Sequence, residues 1–317
     1  MEIDEQVIND LIFKELIKRG YSLDGKTRVW NIADSKLWYI TPDQAQDYLD
    51  LENSAGYKSS ISNPEFELTE KNLPEIEKQI GNVPVNLIDL GCGDGKKAAH
   101  IVEHLHKKVP VRYCPIDISG YLVGQAIETF SKLKVEVVDF QYNISDFENL
   151  ENITPLLIKD KFKRNLFILL GYTLGNFEIH DLLYQIRSAM NKGDVFVAVA
   201  GVGSSKWEER AKTAKYDKKT NNFFIHIPLL LGLGKDDVEF SPRFKNSRIE
   251  FCYVLKKDKE ISFQERKVSF NKGDQIIVAV AYKQNKDDLL NIFNMHFDQV
   301  ILKVSKDGST ALAICKR

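Results

Sequence analysis

Three glycines at alternating positions, Gly91, Gly93 and Gly95, interrupt the run VNLIDLGCGDGKKA between residues 85 and 98. Glycine lets the backbone turn through left-handed conformations and lets a ligand come close to main-chain amides. A loop of this kind, following an apolar strand and preceding a helix, opens at the carboxyl end of a sheet, where open α/β proteins bind their ligands. The spacing then discriminates among ligands. A dinucleotide site wants GxGxxG with the pyrophosphate at the helix N-terminus, and a phosphate-binding loop wants GxxxxGK[ST]. This loop reads GxGxG, one residue short of the first pattern and without the second. Asp89 stands just before it, poorly suited to sit beside a pyrophosphate and well suited to an ammonium group.

The next two strand ends are acidic as well. Asp117, in PIDIS, is placed to bind both hydroxyls of a ribose. Asp139 and Phe140 close VEVVDF and offer an acceptor for an adenine amino group and an aromatic wall for its ring. Each feature has a plainer reading: a glycine-rich turn is often only a turn, and an Asp at a strand end often caps the following helix. Their joint placement at three consecutive strand ends points instead to one ligand with an amino-acid part, a ribose and an adenine. S-adenosylmethionine has these parts, and the pattern calls for no metal.

The elements that must position these residues follow from periodicity. VNLIDLG, VRYCPIDIS, VEVVDF, NLFILLG and DVFVAVAG are strand-like and are separated by helical stretches, which implies parallel βαβ units with right-handed crossovers. Near the C-terminus, QVILKVSKDGSTALAICK carries Asp-Gly between two strand-like runs, a hairpin signal. A mostly parallel sheet ending in an antiparallel hairpin predicts an α/β, Rossmann-like class I methyltransferase fold. Beyond Gly203 the alternation stops, predicting a smaller substrate-covering α+β domain. The expected division is an N-terminal helical segment and substrate loop over 1–60, the cofactor-binding domain over 61–202 and 275–317, and an inserted domain over 203–274. Apolar residues from Ile3 to Ile17 recur at near-helical spacing, and a second helix is expected after Pro42.

Composition limits the partners. Forty-four Lys and Arg against forty-five Asp and Glu give a net charge of -1, which offers no global attraction for nucleic acid or an anionic membrane. No stretch approaches the roughly 20 apolar residues of a membrane span, and the N-terminus lacks the basic start and apolar core of a secretory signal. The cytoplasm is the expected location. Cys92, Cys114, Cys252 and Cys315 show no ligand spacing and are expected as buried reduced thiols.

From about Trp38 onward the chain resembles the histidine-specific, S-adenosylmethionine-dependent methyltransferase family, typified by the ergothioneine-pathway N-methyltransferase. LFILLGYTLGNFE is similar to that family's strand and Gly-Asn-Phe turn, and the resemblance implies that Asn176 binds the amino-acid head group of the substrate. It also implies that Lys97 lies at the cofactor, that Tyr57 sits in a substrate loop, and that KYDKKTNNFF around Tyr216 and NSRIEF ending in Phe251 belong to the substrate-covering domain. Where the family carries a Glu and a Ser in a strand resembling IRTEIS, this chain has IIVAVA, with Ala279 and Ala281. An imidazole facing them lacks the polar partners that would satisfy its ring nitrogens, at a cost of about 1 to 3 kcal/mol each.

The resulting expectation is an S-adenosylmethionine-dependent methyltransferase that N-methylates an amino acid or related small amine other than histidine. Tyr57 and Tyr216 are the candidates to accept the amine proton. The alternative is a cofactor-binding regulatory or partner protein that has lost its acceptor site, for which Ala279 and Ala281 are the supporting features.

Overall fold

The computed structural model describes residues 5–140, 143–203 and 206–317. The first residues of the expected N-terminal helix lie outside that set, and the helix is seen over Glu5–Arg19. The chain divides into two compact units, one of residues 52–204 and 284–317, the other of residues 1–51 and 205–283.

The first unit is built on a seven-stranded sheet. Its strands run Gln299–Val304, Thr310–Lys316, Val195–Gly201, Arg164–Leu169, Val85–Leu90, Val111–Ile116 and Glu136–Val137. The five strands from Val195–Gly201 onward pair in parallel, and the two C-terminal ones pair antiparallel through the Asp-Gly turn, where Gly308 takes φ 71°. Every residue of Val85–Leu90, Val111–Ile116 and Val195–Gly201 is buried, as expected of a parallel strand covered on both faces. Chain order reverses between Val85–Leu90 and Arg164–Leu169, so their carboxyl ends flank the switch-point crevice of a doubly wound sheet. The third predicted strand, VEVVDF, is cut to Glu136–Val137, and beyond it the Asn143 side chain takes up the Val138 carbonyl and the Phe140 amide.

At the opposite ends of these strands lies a row of buried polar side chains. The Arg112 Nε donates to Asn86 Oδ1 (2.9 Å), Asn86 Nδ2 to Asn165 Oδ1 (2.9 Å), and Asn165 Nδ2 to Asp194 Oδ2 (3.0 Å). Arg112, Asn86 and Asn165 are direct cross-strand neighbours.

The second unit has a six-stranded sheet ordered Tyr21–Asp24, Thr27–Asn31, Gln275–Tyr282, Arg248–Leu255 and Val238–Phe240, with Arg243–Lys245 also paired to Arg248–Leu255. A separate hairpin joins Lys259–Phe263 to Arg266–Phe270. Gln275–Tyr282, expected in the cofactor-binding domain from 275 onward, is here instead, because it pairs in parallel with Thr27–Asn31 and antiparallel with Arg248–Leu255. The same parallel pairing brings residues 5–51 into this unit, where the sequence reading had a separate N-terminal segment over 1–60. The hairpin Tyr21–Asn31 turns at Asp24-Gly25, with Gly25 at φ 62°. Among the described residues no helix is long and apolar enough to cross a membrane, and all four cysteines are free and buried.

Candidate active site

The glycine loop leaves the Val85–Leu90 strand at the crevice, and Gly91, Gly93 and Gly95 take φ values of 69, 53 and 76°, where a side chain is strained. The Gly91 and Cys92 amides both donate to the Ile116 carbonyl, at 2.8 and 3.2 Å, which ties the loop to the neighbouring strand end. A Cβ at Gly95 would lie 3.1 Å from Ala126 Cα and 3.3 Å from the Tyr113 hydroxyl, so glycine is needed there for the close packing of backbone on helix. A Cβ at Gly91 would lie 3.7 Å from Thr173, so the GYTLGN turn is immediately beside the loop.

Two buried carboxylates converge on the loop. Asp89 is 3% exposed and accepts a hydrogen bond from the Tyr113 hydroxyl at 2.8 Å. Burial pushes its carboxyl up to about 7 against that hydrogen bond, and the Asp117 charge adds to the rise. Asp117 accepts the Ser119 amide at 3.0 Å and, across the crevice, the Gly93 amide at 3.3 Å. Burial raises it to about 6 against those amide bonds. The bond to Ser119 is the local one that the plain reading foresees, although the capping oxygen of the following helix is Ser119 Oγ; the bond to Gly93 joins two strand ends. Two acids that desolvation drives toward protonation suit a ligand that brings positive charge and hydroxyl donors. These residues fit S-adenosylmethionine.

At the third strand end Asp139 is exposed, and Phe140 is half-buried against the apolar core. Their turn is set by Asn143, which the sequence reading missed. Asn143 is 1% exposed, accepts the Phe140 amide through Oδ1 at 2.6 Å, and donates to the carbonyls of Pro115 (2.6 Å) and Val138 (3.1 Å). Its own carbonyl accepts the Asp117 amide at 3.0 Å, so one buried amide couples the expected adenine and ribose positions.

Lys97, expected at the cofactor, is held by two carboxylates. Its Nζ lies 2.5 Å from Glu52 and 3.5 Å from Glu65, and Glu65 Oε1 accepts the Gly171 amide at 2.6 Å. Burial works against the Lys97 charge, but Glu65 and Glu52 outweigh it and hold the ammonium well above its ordinary value. The ion triad links the helix Asn63–Ile80, the helix behind the glycine loop and the turn after Arg164–Leu169. No spacing in the sequence signals it, because its carboxylates are 32 and 45 residues before Lys97.

Among the expected substrate residues, Asn176 is half-buried at the end of the 3-10 turn Thr173–Asn176, which Tyr172 enters at φ 60°. Tyr57 is half-buried on the short helix Ala55–Tyr57, whose first turn is capped by Ser54. Both belong to the unit that holds the glycine loop. Tyr216, Phe251, Ala279 and Ala281 belong to the other unit. There Tyr216 is 82% exposed, and Phe251 is half-buried with its ring 4.6 Å from that of Phe224. Ala279 pairs with Phe251 and Ala281 with Ile249. Ala279 is fully buried and offers no surface to a substrate, a correction to the expected contact, whereas Ala281 is partly exposed. Phe223 and Phe224 are buried with Tyr39, Tyr48 and Trp38 in one aromatic cluster.

A family model described as "Histidine-specific methyltransferase, SAM-dependent" matches residues 60–306. A search of curated proteins finds no match. Among solved structures, the chain is similar to an S-adenosylmethionine-dependent methyltransferase from Clostridium acetobutylicum, with 13% identity, a TM-score of 0.43, and coverage of 86% of this chain and 98% of that one. It is also similar to magnesium protoporphyrin IX methyltransferase from Synechocystis with bound SAH, with 9% identity, a TM-score of 0.45, and coverage of 86% and 93%. The fold assignment stands on the strand order and the family match, not on similarities this low.

Proposed function

This chain belongs to the histidine-specific, S-adenosylmethionine-dependent methyltransferase family, and from that premise we propose that it N-methylates an amino acid or related small amine other than histidine. Its activity as a methyltransferase and its cofactor follow from the family; the acceptor is our reading. The observation that carries it is Ala281, partly exposed and paired with Ile249 next to the half-buried Phe251. An imidazole against such a wall has no hydrogen-bond partner on that strand, and the aliphatic or aromatic part of another acceptor needs none.

When bound, S-adenosylmethionine supplies an electrophilic methyl group on a sulfonium. The protein's part is to hold a neutral amine in line with that methyl, and position and orientation alone supply much of the acceleration in such transfers. We assign Asp89, the three glycines, Asp117, Asp139 and Phe140 to holding the cofactor, and Asn176 to the amino-acid head group of the acceptor. Tyr57, half-buried in the cofactor-binding unit, is the proposed acceptor of the amine proton there. Tyr216 is the proposed candidate in the other unit.

The test is a mass-spectrometric screen of amino acids and biogenic amines with methyl-labelled cofactor and the full chain, with histidine included. Transfer to a non-histidine amine at a higher kcat/KM than to histidine supports the reading. Histidine as the preferred acceptor overturns it.

A further inference from the structure

In the cofactor-binding unit, the turn that carries Asn176 begins with two consecutive residues in the left-handed region, Gly171 at φ 71° and Tyr172 at φ 60°. Glycine adopts that conformation freely, but on a tyrosine it is strained, and such strain persists only where the surroundings enforce it. Within the turn the Thr173 hydroxyl donates to the Leu170 carbonyl at 2.7 Å and the Gly175 amide to the Tyr172 carbonyl at 3.0 Å. Two further bonds tie it to distant parts of the chain. The Tyr172 hydroxyl pairs with that of Thr310, which is fully buried at the start of the strand Thr310–Lys316. The Gly171 amide donates to Glu65 Oε1 at 2.6 Å.

Glu65 is a costly acceptor for that second bond. An amide needs only a neutral oxygen, and a carboxylate held at 3% exposure carries a desolvation penalty that a carbonyl avoids. What the charge adds is another hold. Glu65 Oε2 lies 3.5 Å from the Lys97 ammonium, and Lys97 is the second residue of the helix Lys96–Leu105, whose N-cap is Gly95, the last glycine of the cofactor loop. One side chain thus reaches the Asn176 turn with one oxygen and the helix behind the loop with the other. The turn and the loop also abut, since a Cβ at Gly91 would lie 3.7 Å from the Thr173 side chain.

We propose that Glu65 is a positioning residue for methyl transfer, setting the Asn176 turn against the glycine loop and so fixing how the methyl acceptor meets the methyl donor. Its effect on the acceptor rests on the assignment of Asn176 to the acceptor's head group; its hold on the turn does not. An alignment error of roughly 1 Å costs such a transfer about a hundredfold in rate, so a side chain that acts only through the turn governs turnover.

Two conservative variants separate reach from charge. Glu65→Asp keeps the charge and draws the carboxylate back by about 1.5 Å, one bond length, beyond hydrogen-bond range of the Gly171 amide. Glu65→Gln keeps the reach, loses the charge and leaves Lys97 its partner Glu52. Amide hydrogen exchange of the full chain is followed by mass spectrometry, and S-adenosylhomocysteine is titrated by calorimetry to count binding sites. In Glu65→Asp we expect residues 170–177 to exchange faster by about tenfold or more, while exchange of the Val85–Leu90 strand and S-adenosylhomocysteine affinity change by less than about threefold. In Glu65→Gln the turn exchanges near the wild-type rate. Turnover per binding site is measured with the amine that the acceptor screen ranks first, histidine included; kcat falls by about a hundredfold in Glu65→Asp and by less than about tenfold in Glu65→Gln. A merely structural ion pair gives the reverse order, with Glu65→Gln the damaged variant in both readouts, and that result overturns the proposal. So does wild-type exchange of the turn in Glu65→Asp, or faster exchange shared equally by the turn and the Val85–Leu90 strand. Histidine ranking first overturns the choice of acceptor alone, and if no amine is methylated the order of the two variants in exchange decides the role of Glu65.

Discussion

Cofactor affinity should fall steeply on acidification, by an amount set by Asp89 and Asp117. Burial raises these carboxyls to about 7 and about 6. In the proposed role each must be ionised to hold an ammonium or a ribose hydroxyl, so binding competes with protonation. Each group weakens observed affinity by one plus ten raised to its pKa less the pH. At pH 8 both factors are close to one. At pH 5 they are about a hundredfold and about tenfold, or roughly 4 kcal/mol together. Around pH 6.5 cofactor binding should expel about one proton in total. The sign for the free protein is opposite to that of an ordinary surface acid. Because the folded values lie above the unfolded carboxylate value, these groups contribute stability that is complete below about 4 and is lost as pH rises through 6 to 7. Bound cofactor offsets that loss at neutral pH. The assay is calorimetry with S-adenosylhomocysteine from pH 5 to 8, in buffer pairs of different ionisation heat. Asp117→Asn should leave a shallower, single-group pH dependence and weaken binding at pH 8 by about 1.5 to 3 kcal/mol, about ten- to a hundredfold. Affinity that is flat with pH, together with no buffer-dependent heat at pH 6.5, would refute the reasoning.

Further expectations can be checked directly. Gly95→Ala forces a left-handed φ on alanine and a methyl against Ala126 and Tyr113, so it should lower stability by about 1 to 3 kcal/mol, read as a fall in the denaturant midpoint. Lys97→Met leaves Glu65 buried beside Glu52 without its cation and should cost about 3 to 5 kcal/mol in chemical denaturation; a change within experimental error would show that the triad is not what holds the three segments. Asn176→Ala should raise the KM for the acceptor while sparing S-adenosylhomocysteine affinity, and equal loss of both would remove its assigned role.

The parts of the molecule legible in the sequence are those governed by local chemistry. A glycine loop between an apolar strand and a helix carries its own geometry, as does an Asp-Gly turn between two strands, and both appear where the sequence places them. The class of fold followed from the alternation of period-2 and helical stretches. What stayed hidden depends on pairing between distant segments. IIVAVAY is a strand in any reading, but its parallel partner, residues 27–31, is more than two hundred positions away, and nothing in its own pattern selects that neighbour over the cofactor sheet. For the same reason the ion pairs of Lys97 were hidden: a lysine after a glycine loop gives no hint of two carboxylates arriving from two earlier helices. Asn143 gave no signal either, since a buried asparagine in a loop is recognised only by the carbonyls it reaches.

The row Arg112, Asn86, Asn165 and Asp194 acts as an indexing pin for the cofactor end of the sheet. Apolar parallel strands slide past one another at little cost, because valine and isoleucine fit almost equally well one repeat along. A slip here would strand three buried amide or guanidinium groups without partners, so only one alignment of the four chains is tolerated. The glycine loop, Asp117 and the GYTLGN turn emerge from the far tips of those strands. Their mutual placement is thus decided some five residues away, and a variant such as Asn86→Leu, remote from any ligand, should blur the geometry of binding before it unfolds the protein.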